Sequence, residues 1–164
     1  MVEFGWFADQ RIELLRGTLV DLSPHRWPHT AAIEFLTEQL ILQLGGRYSV
    51  RPQMPFFADD WSEPQPDLAV AEKDPTLRDH PSELLLLIEI ADEPLIIERG
   101  PKLTIYAGAG VPEYWIVDVS KVIVEVHTQP ENNRYANVQT FRDGDVLRPT
   151  LLPDVAIRVA DLPR

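Results

Sequence analysis

The stretch LLLLIEIAD, residues 84–92, carries five apolar residues directly into Glu89, then Ile90, Ala91 and Asp92. A run this short and this apolar predicts a strand buried on both faces of a sheet. An ionised glutamate is a poor occupant of such a strand unless another group pairs with it. The neighbouring segments supply candidates. DLAVA (67–71) reads as a second strand, opening on Asp67 after Pro66, and a charged connection over 72–83 joins the two. That connection is long enough to bring the strands side by side. If they pair antiparallel, the start of one lies beside the end of the other, and the two carboxylates meet.

Working outward, RIELLRGTLVDLS (11–23) reads as two short strands joined at Arg16-Gly17, where glycine supplies a positive φ, with Pro24 as the stop. From Thr30 the apolar positions 33, 36, 40 and 44 fall at helical spacing. This predicts a helix capped by Thr30 and ended by Gly45-Gly46. RYSVR and MPFFA, separated by Pro52, read as two short strands, and DDWSEPQP as a polar loop. GPKLTIYAGAG (100–110) predicts a short helix with Pro101 in its first turn and Gly110 at its end. EYWIVD and VIVEVH form a hairpin around 119–121, NRYANVQTF is a further strand, and Asp143-Gly144 marks a turn. A few helices among many strands predict a mixed α/β (α+β) domain spanning 1–164, without repeats or linkers.

Composition narrows the function. The chain has 164 residues, 45% of them apolar, as in ordinary folded proteins. No apolar run approaches the roughly 18 residues that cross a bilayer. MVEFGWFADQR lacks a basic start followed by an apolar stretch, so no signal peptide is expected. With no cysteine, disulfides, thiolate metal sites and cysteine nucleophiles are excluded. These features together favour a cytoplasmic protein. The net charge of −11, from 15 Lys and Arg against 26 acids, predicts weak affinity for bulk duplex DNA.

Two carboxylates in a partly dry site repel each other unless a cation holds them. Mg²⁺ is satisfied by one or two carboxylates plus water and phosphate oxygens, and so held it assists phosphodiester cleavage. Lys102, 13 residues after Glu89, enters the next helix and would point back over the same strand end. Glu98, four residues before it, is a competing partner.

SEPQPDLAV, LLIEIAD and ERGPKLTIYAGAGVPEYWIVD together resemble the putative restriction endonuclease family of the PD-(D/E)XK nuclease superfamily. The likeness extends upstream to IELLRGTLVDLSP and His29, and downstream to LLPDVAI. It implies a restriction-endonuclease-like core, a mixed central sheet flanked by helices with extra hairpins, carrying a Mg²⁺ or Mn²⁺ site. By motif position Asp67 would be the PD aspartate and Glu89 the acid of the second element. The Ile90 carbonyl and Glu13 would be further metal ligands, Lys102 the catalytic lysine, and Gln53 would orient a water or the lysine. Ala91 stands where the lysine of an E-x-K motif falls and where the family often has Ser or Thr. Glu98 stands where Asp is usual. The resemblance implies a metal-dependent endonuclease acting on nucleic acid, DNA rather than RNA, and commonly dimeric. The alternative is an inactive nuclease-like fold serving as an interaction module, which Ala91 and the acidic balance favour. EYWIVD and VIVEVH are expected to offer edges for a homodimer.

Overall fold

A computed structural model describes residues 12–21, 26–76, 80–91 and 96–163. The N-terminal stretch and the expected stop at Pro24 lie outside these. The chain begins with a hairpin, β1 (Ile12–Leu15) and β2 (Thr18–Asp21), closed at Arg16 and Gly17 with φ of 52° and 77°. Two successive positive φ values are those of the tight turn that matches strand twist, as the Arg-Gly pair predicts.

Helix α1 (Trp27–Leu44) follows. It starts ahead of the expected cap at Thr30, because Pro28 occupies its first turn, where a missing N–H costs nothing. Arg26 is the cap residue and makes no side-chain capping bond. Gly45, at φ 56°, ends the helix as expected and donates to the Ile41 carbonyl.

A six-stranded sheet forms the centre in the order β3-β4-β5-β6-β7-β8: β3 (Tyr48–Pro52), β4 (Leu68–Glu72), β5 (Leu86–Ala91), β6 (Glu113–Asp118), β7 (Ile123–Glu131) and β8 (Arg134–Phe141). Only β5 and β6 run parallel; the other neighbours are antiparallel. β5 is buried at every position, as its apolar run predicts, and so is β6. Two expectations fail here. MPFFA is not a strand, because Gln53 turns the chain at φ 50° and Phe56 then bonds to Pro64 in a loop. The EYWIVD–VIVEVH hairpin offers no free edge, since β6 lies between β5 and β7, and β7 between β6 and β8; the sheet's edges are β3 and β8.

One face of the sheet packs Leu68, Val70, Ile88 and Trp115 against Ala32, Leu36, Leu40 and Leu44 of α1. The other face packs Leu87, Tyr114 and Ile116 against Ile105, Tyr106 and Ala107 of helix α2 (Leu103–Gly108). The expected helix over 100–110 is therefore shorter. A π-helical turn, Glu98–Lys102, precedes α2, with Gly100 outside helical geometry and Pro101 within the turn. A small sheet of β9 (Val146–Leu147) and β10 (Ile157–Arg158) completes the chain. Among the described residues no helix is long and apolar enough to cross a membrane.

Candidate metal and active site

β4 and β5 pair antiparallel with Leu68 opposite Ile88, so Asp67 and Glu89 adjoin at one end of the two strands. Register extends the row in both directions. The Gln53 N–H donates to the Asp67 carbonyl at 3.0 Å, Glu89 lies beside Ile116, and Ile116 beside Glu125. Glu89, Ile116 and Glu125 on β5, β6 and β7 thus continue a line from Gln53 and Asp67, which lie just outside β3 and β4.

Asp67 is clamped from two sides. Its Oδ2 accepts the Ile90 N–H at 2.9 Å and lies 3.1 Å from Nε2 of His29 on α1. Burial pushes its pKa up, but the His29 hydrogen bond and charge, the Ile90 N–H and Lys102 outweigh this and hold it below the usual carboxylate range. Asp67 therefore stays ionised although it is buried.

Glu89 is the opposite case. Lys102 donates to its Oε1 at 2.9 Å and the Tyr106 hydroxyl donates to the same oxygen at 2.5 Å. Burial is the largest influence, reinforced by Asp67 and Glu13, and it overcomes Lys102 and Tyr106 to push Glu89 up to about 8. Burial alone would lower the Lys102 pKa, yet the Glu89 and Glu13 carboxylates raise it above its ordinary value, so its ammonium stays charged.

Glu13, fully buried on β1, closes the cluster. Its Oε1 accepts the Gln65 N–H at 2.8 Å and lies 3.1 Å from Lys102 Nζ. Its Oε2 is buried and has no hydrogen-bond partner among the described residues. A buried carboxylate oxygen without a partner costs on the order of 1–3 kcal/mol.

The structure therefore brings together Asp67, Glu89, Lys102 and Glu13. It puts Ile90 beside them through its N–H, and Gln53 through its backbone in a half-buried turn. Lys102 pairs with Glu89 and Glu13, and no ion pair joins it to Glu98. Two partners go beyond the residues assigned from sequence. Tyr106 follows Lys102 by four positions, the helical spacing that places side chains on one face, and that was the available signal. His29 lies among the resembling residues, yet nothing in its spacing assigns it to Asp67.

Among the described residues no three His, Cys, Asp or Glu side chains converge tightly enough to cage a metal. The donors present are hard carboxylate oxygens, two on adjoining strands and one with an unmet lone-pair site. That set suits Mg²⁺ or Mn²⁺, which complete their shells with water and phosphate, and does not suit a fully protein-caged ion.

A mixed six-stranded sheet that aims buried acids and a helix-borne lysine at one strand end is a nuclease-like fold. The chain belongs to the Uma2 family, described as "Putative restriction endonuclease", which matches residues 6–160. It is also similar to a solved structure titled a putative nuclease belonging to DUF820 from Anabaena variabilis, with a TM-score of 0.75. The two share 14% identity over 94% of this chain and 90% of that one. No curated protein matches the sequence. Family and fold are thus those of putative nucleases.

Proposed function

We propose that the chain is a Mg²⁺- or Mn²⁺-dependent endonuclease hydrolysing phosphodiester bonds of nucleic acid, DNA rather than RNA. The observation that carries this reading is the placement of Asp67 and Glu89 at adjoining strand ends, with Lys102 Nζ 2.9 Å from Glu89 Oε1. Asp67 and Glu89 would hold the metal, with Glu13 and the Ile90 carbonyl contributing. When bound, the ion would polarise a phosphate oxygen and lower the pKa of a water. His29 fixes the Asp67 carboxylate, and Tyr106 fixes that of Glu89. Lys102 would turn from its acids toward the phosphate, neutralising charge that builds on its oxygens as the bond breaks. Gln53, at the end of the row, would orient the attacking water. Strands hold such groups in place better than loops do. On this reading residues 1–164 act as one nuclease-like domain in the cytoplasm, as a homodimer.

Mn²⁺ calorimetry on the wild type, Asp67→Asn and Glu89→Gln, paired with cleavage of short oligonucleotides and plasmid, tests the reading. Metal binding and cleavage should both disappear in the two folded variants. Wild type that binds no metal, even with an oligonucleotide present, would overturn it.

A second reading, an inactive fold kept as an interaction module, is favoured by Ala91. This residue is buried where the motif lysine would fall, and the chain carries a net −11. Under that reading Asp67→Asn leaves stability unchanged or raises it, and the protein has no cleavage to lose.

A further inference from the structure

We propose that Arg99 and Glu125 are a positioning pair that sets the reach of Lys102 into the acid pocket. For its catalytic consequence this rests on the nuclease reading; for its structural content it does not. Lys102 and Arg99 sit three residues apart in the π-helical turn between β5 and α2. Lys102 ends on Glu89. Arg99 reaches Glu125 through two bonds, Nε to Oε2 at 3.1 Å and Nη2 to Oε1. Glu89 and Glu125 belong to the same row and are separated by Ile116 on β6, two strand spacings or about 10 Å. The turn therefore stands across the sheet on two cationic legs, each planted on an acid of one rigid line.

The turn's other bonds are mostly local, such as the Thr104 hydroxyl to the Gly100 carbonyl at 3.2 Å. Gly100 departs from helical geometry, at φ −106° and ψ −108°, so a regular ladder does not run through it. Lys102 N–H spans five residues back to the Ile97 carbonyl, a π-type bond found at functional sites more often than in ordinary helices. The Tyr114 hydroxyl adds a long contact of 3.3 Å to the Glu98 carbonyl. Arg99 is thus the one described side chain of the turn, apart from Lys102, that forms an ion pair with the sheet. A planar guanidinium bonded twice to a carboxylate fixes direction as well as distance, which a lysine would not. Arg99 pairs with Glu125 and with neither Glu89 nor Glu13, the two acids that hold Lys102. His127 Nε2 lies 3.5 Å from Glu125 Oε2, and Asp118 and Glu98 also act on Arg99 electrostatically.

Reductive methylation read by mass spectrometry tests the pair without requiring activity. Lys102 is buried and held by Glu89 and Glu13, so it should react slowly, with the exposed Lys121 as internal standard. Arg99→Gln and Glu125→Gln should each raise the Lys102 rate about fivefold, the order set by losing one such pair. Their thermal midpoints should fall by no more than the few degrees that losing one exposed ion pair costs. Arg99→Lys, which keeps an ion pair, should fall between wild type and Arg99→Gln. Unchanged rates in both glutamine variants would overturn the proposal. So would a fall in midpoint larger than those few degrees, since global loosening would then explain the rise. If the wild type cleaves nucleic acid, Arg99→Gln should lower kcat with KM unchanged. If it cleaves nothing, the nuclease reading falls while the methylation result still decides the positioning pair.

Discussion

Binding of Mg²⁺ should expel a proton from Glu89, and the affinity should climb steeply with pH across neutrality. The perturbation is pH alone, from about 6 to 8.5. Burial among Asp67 and Glu13 raises Glu89 to about 8, so in the metal-free protein it is mostly protonated at neutral pH. A carboxylic acid is a poor ligand, and the proton must leave for the metal to bind. The fraction of Glu89 ready to bind is then about 1% at pH 6, about 10% at pH 7 and about 75% at pH 8.5. The apparent Kd should therefore tighten by roughly 75-fold over that range, close to tenfold per unit at the acidic end. Calorimetry in two buffers of different ionisation enthalpy counts the protons directly. About one should be released per Mg²⁺ at pH 6, and about a quarter at pH 8.5. Asp67 contributes no slope of its own there, because its partners hold it ionised throughout. A pH-independent affinity with no proton released would refute the argument, because it would mean Glu89 is already ionised or does not touch the metal.

Other consequences follow from the same geometry. In the metal-free protein Glu89 is raised above its ordinary 4.5, so the stability it contributes is complete below pH 4.5 and disappears as pH rises through about 8. Thermal midpoints should fall across that window, and Glu89→Gln should flatten the fall; equal slopes would sink the assignment. Lys102→Met leaves Glu13 buried without its ammonium and Glu89 without its donor, and should cost about 3–5 kcal/mol in a urea melt. An unshifted midpoint would show that the pair contributes nothing. Leu36→Ala, at a fully buried contact of α1 on the sheet, should cost about 2–5 kcal/mol in the same assay. Gly17→Ala meets Trp61 only at ordinary contact distance, so its penalty should be about 1 kcal/mol from the φ of 77° alone.

The parts of this fold that local chemistry dictates were readable in the sequence. Arg16-Gly17 needs a positive φ in a tight turn, Gly45 supplies the left-handed helix end, and the apolar run of β5 predicts two-sided burial. The connection over 72–83 left the pairing of the two strands open, and only the structure shows them antiparallel, with Asp67 joined to Glu89. What escaped the sequence depends on distant partners. Thr30 has the chemistry of a cap, but Pro28 fixes the start of α1 earlier. MPFFA has strand composition, yet flanking prolines and the turn at Gln53 take it out of the sheet. The partners of β6 could not be told from its residues, because the same apolar run serves at the edge of a dimer or between two strands. The ammonium of Lys102 chooses Glu89 and Glu13 over the nearer-in-sequence Glu98, a choice that belongs to the packing of β1 against α2.

The acidic balance and the site are connected. Several cations of the chain are committed to acids: Lys102 to Glu89 and Glu13, Arg99 to Glu125, Arg47 to Asp154 and Arg158 to Asp161. To meet a phosphate, each would have to leave a carboxylate, so the gain of one pair is offset by the loss of another. With 26 acids against 15 basic residues, the surface lacks the surplus that holds duplex DNA by releasing its counterions. Under the nuclease reading, attraction for substrate is therefore concentrated where a divalent cation and Lys102 meet the row of acids. Beyond about 10 Å the repulsion of the surface is screened at ordinary salt, so it need not prevent approach. Such a protein would hold its substrate weakly except at the bond it cuts, and the rigidity of the row along the sheet would matter more than the charge around it.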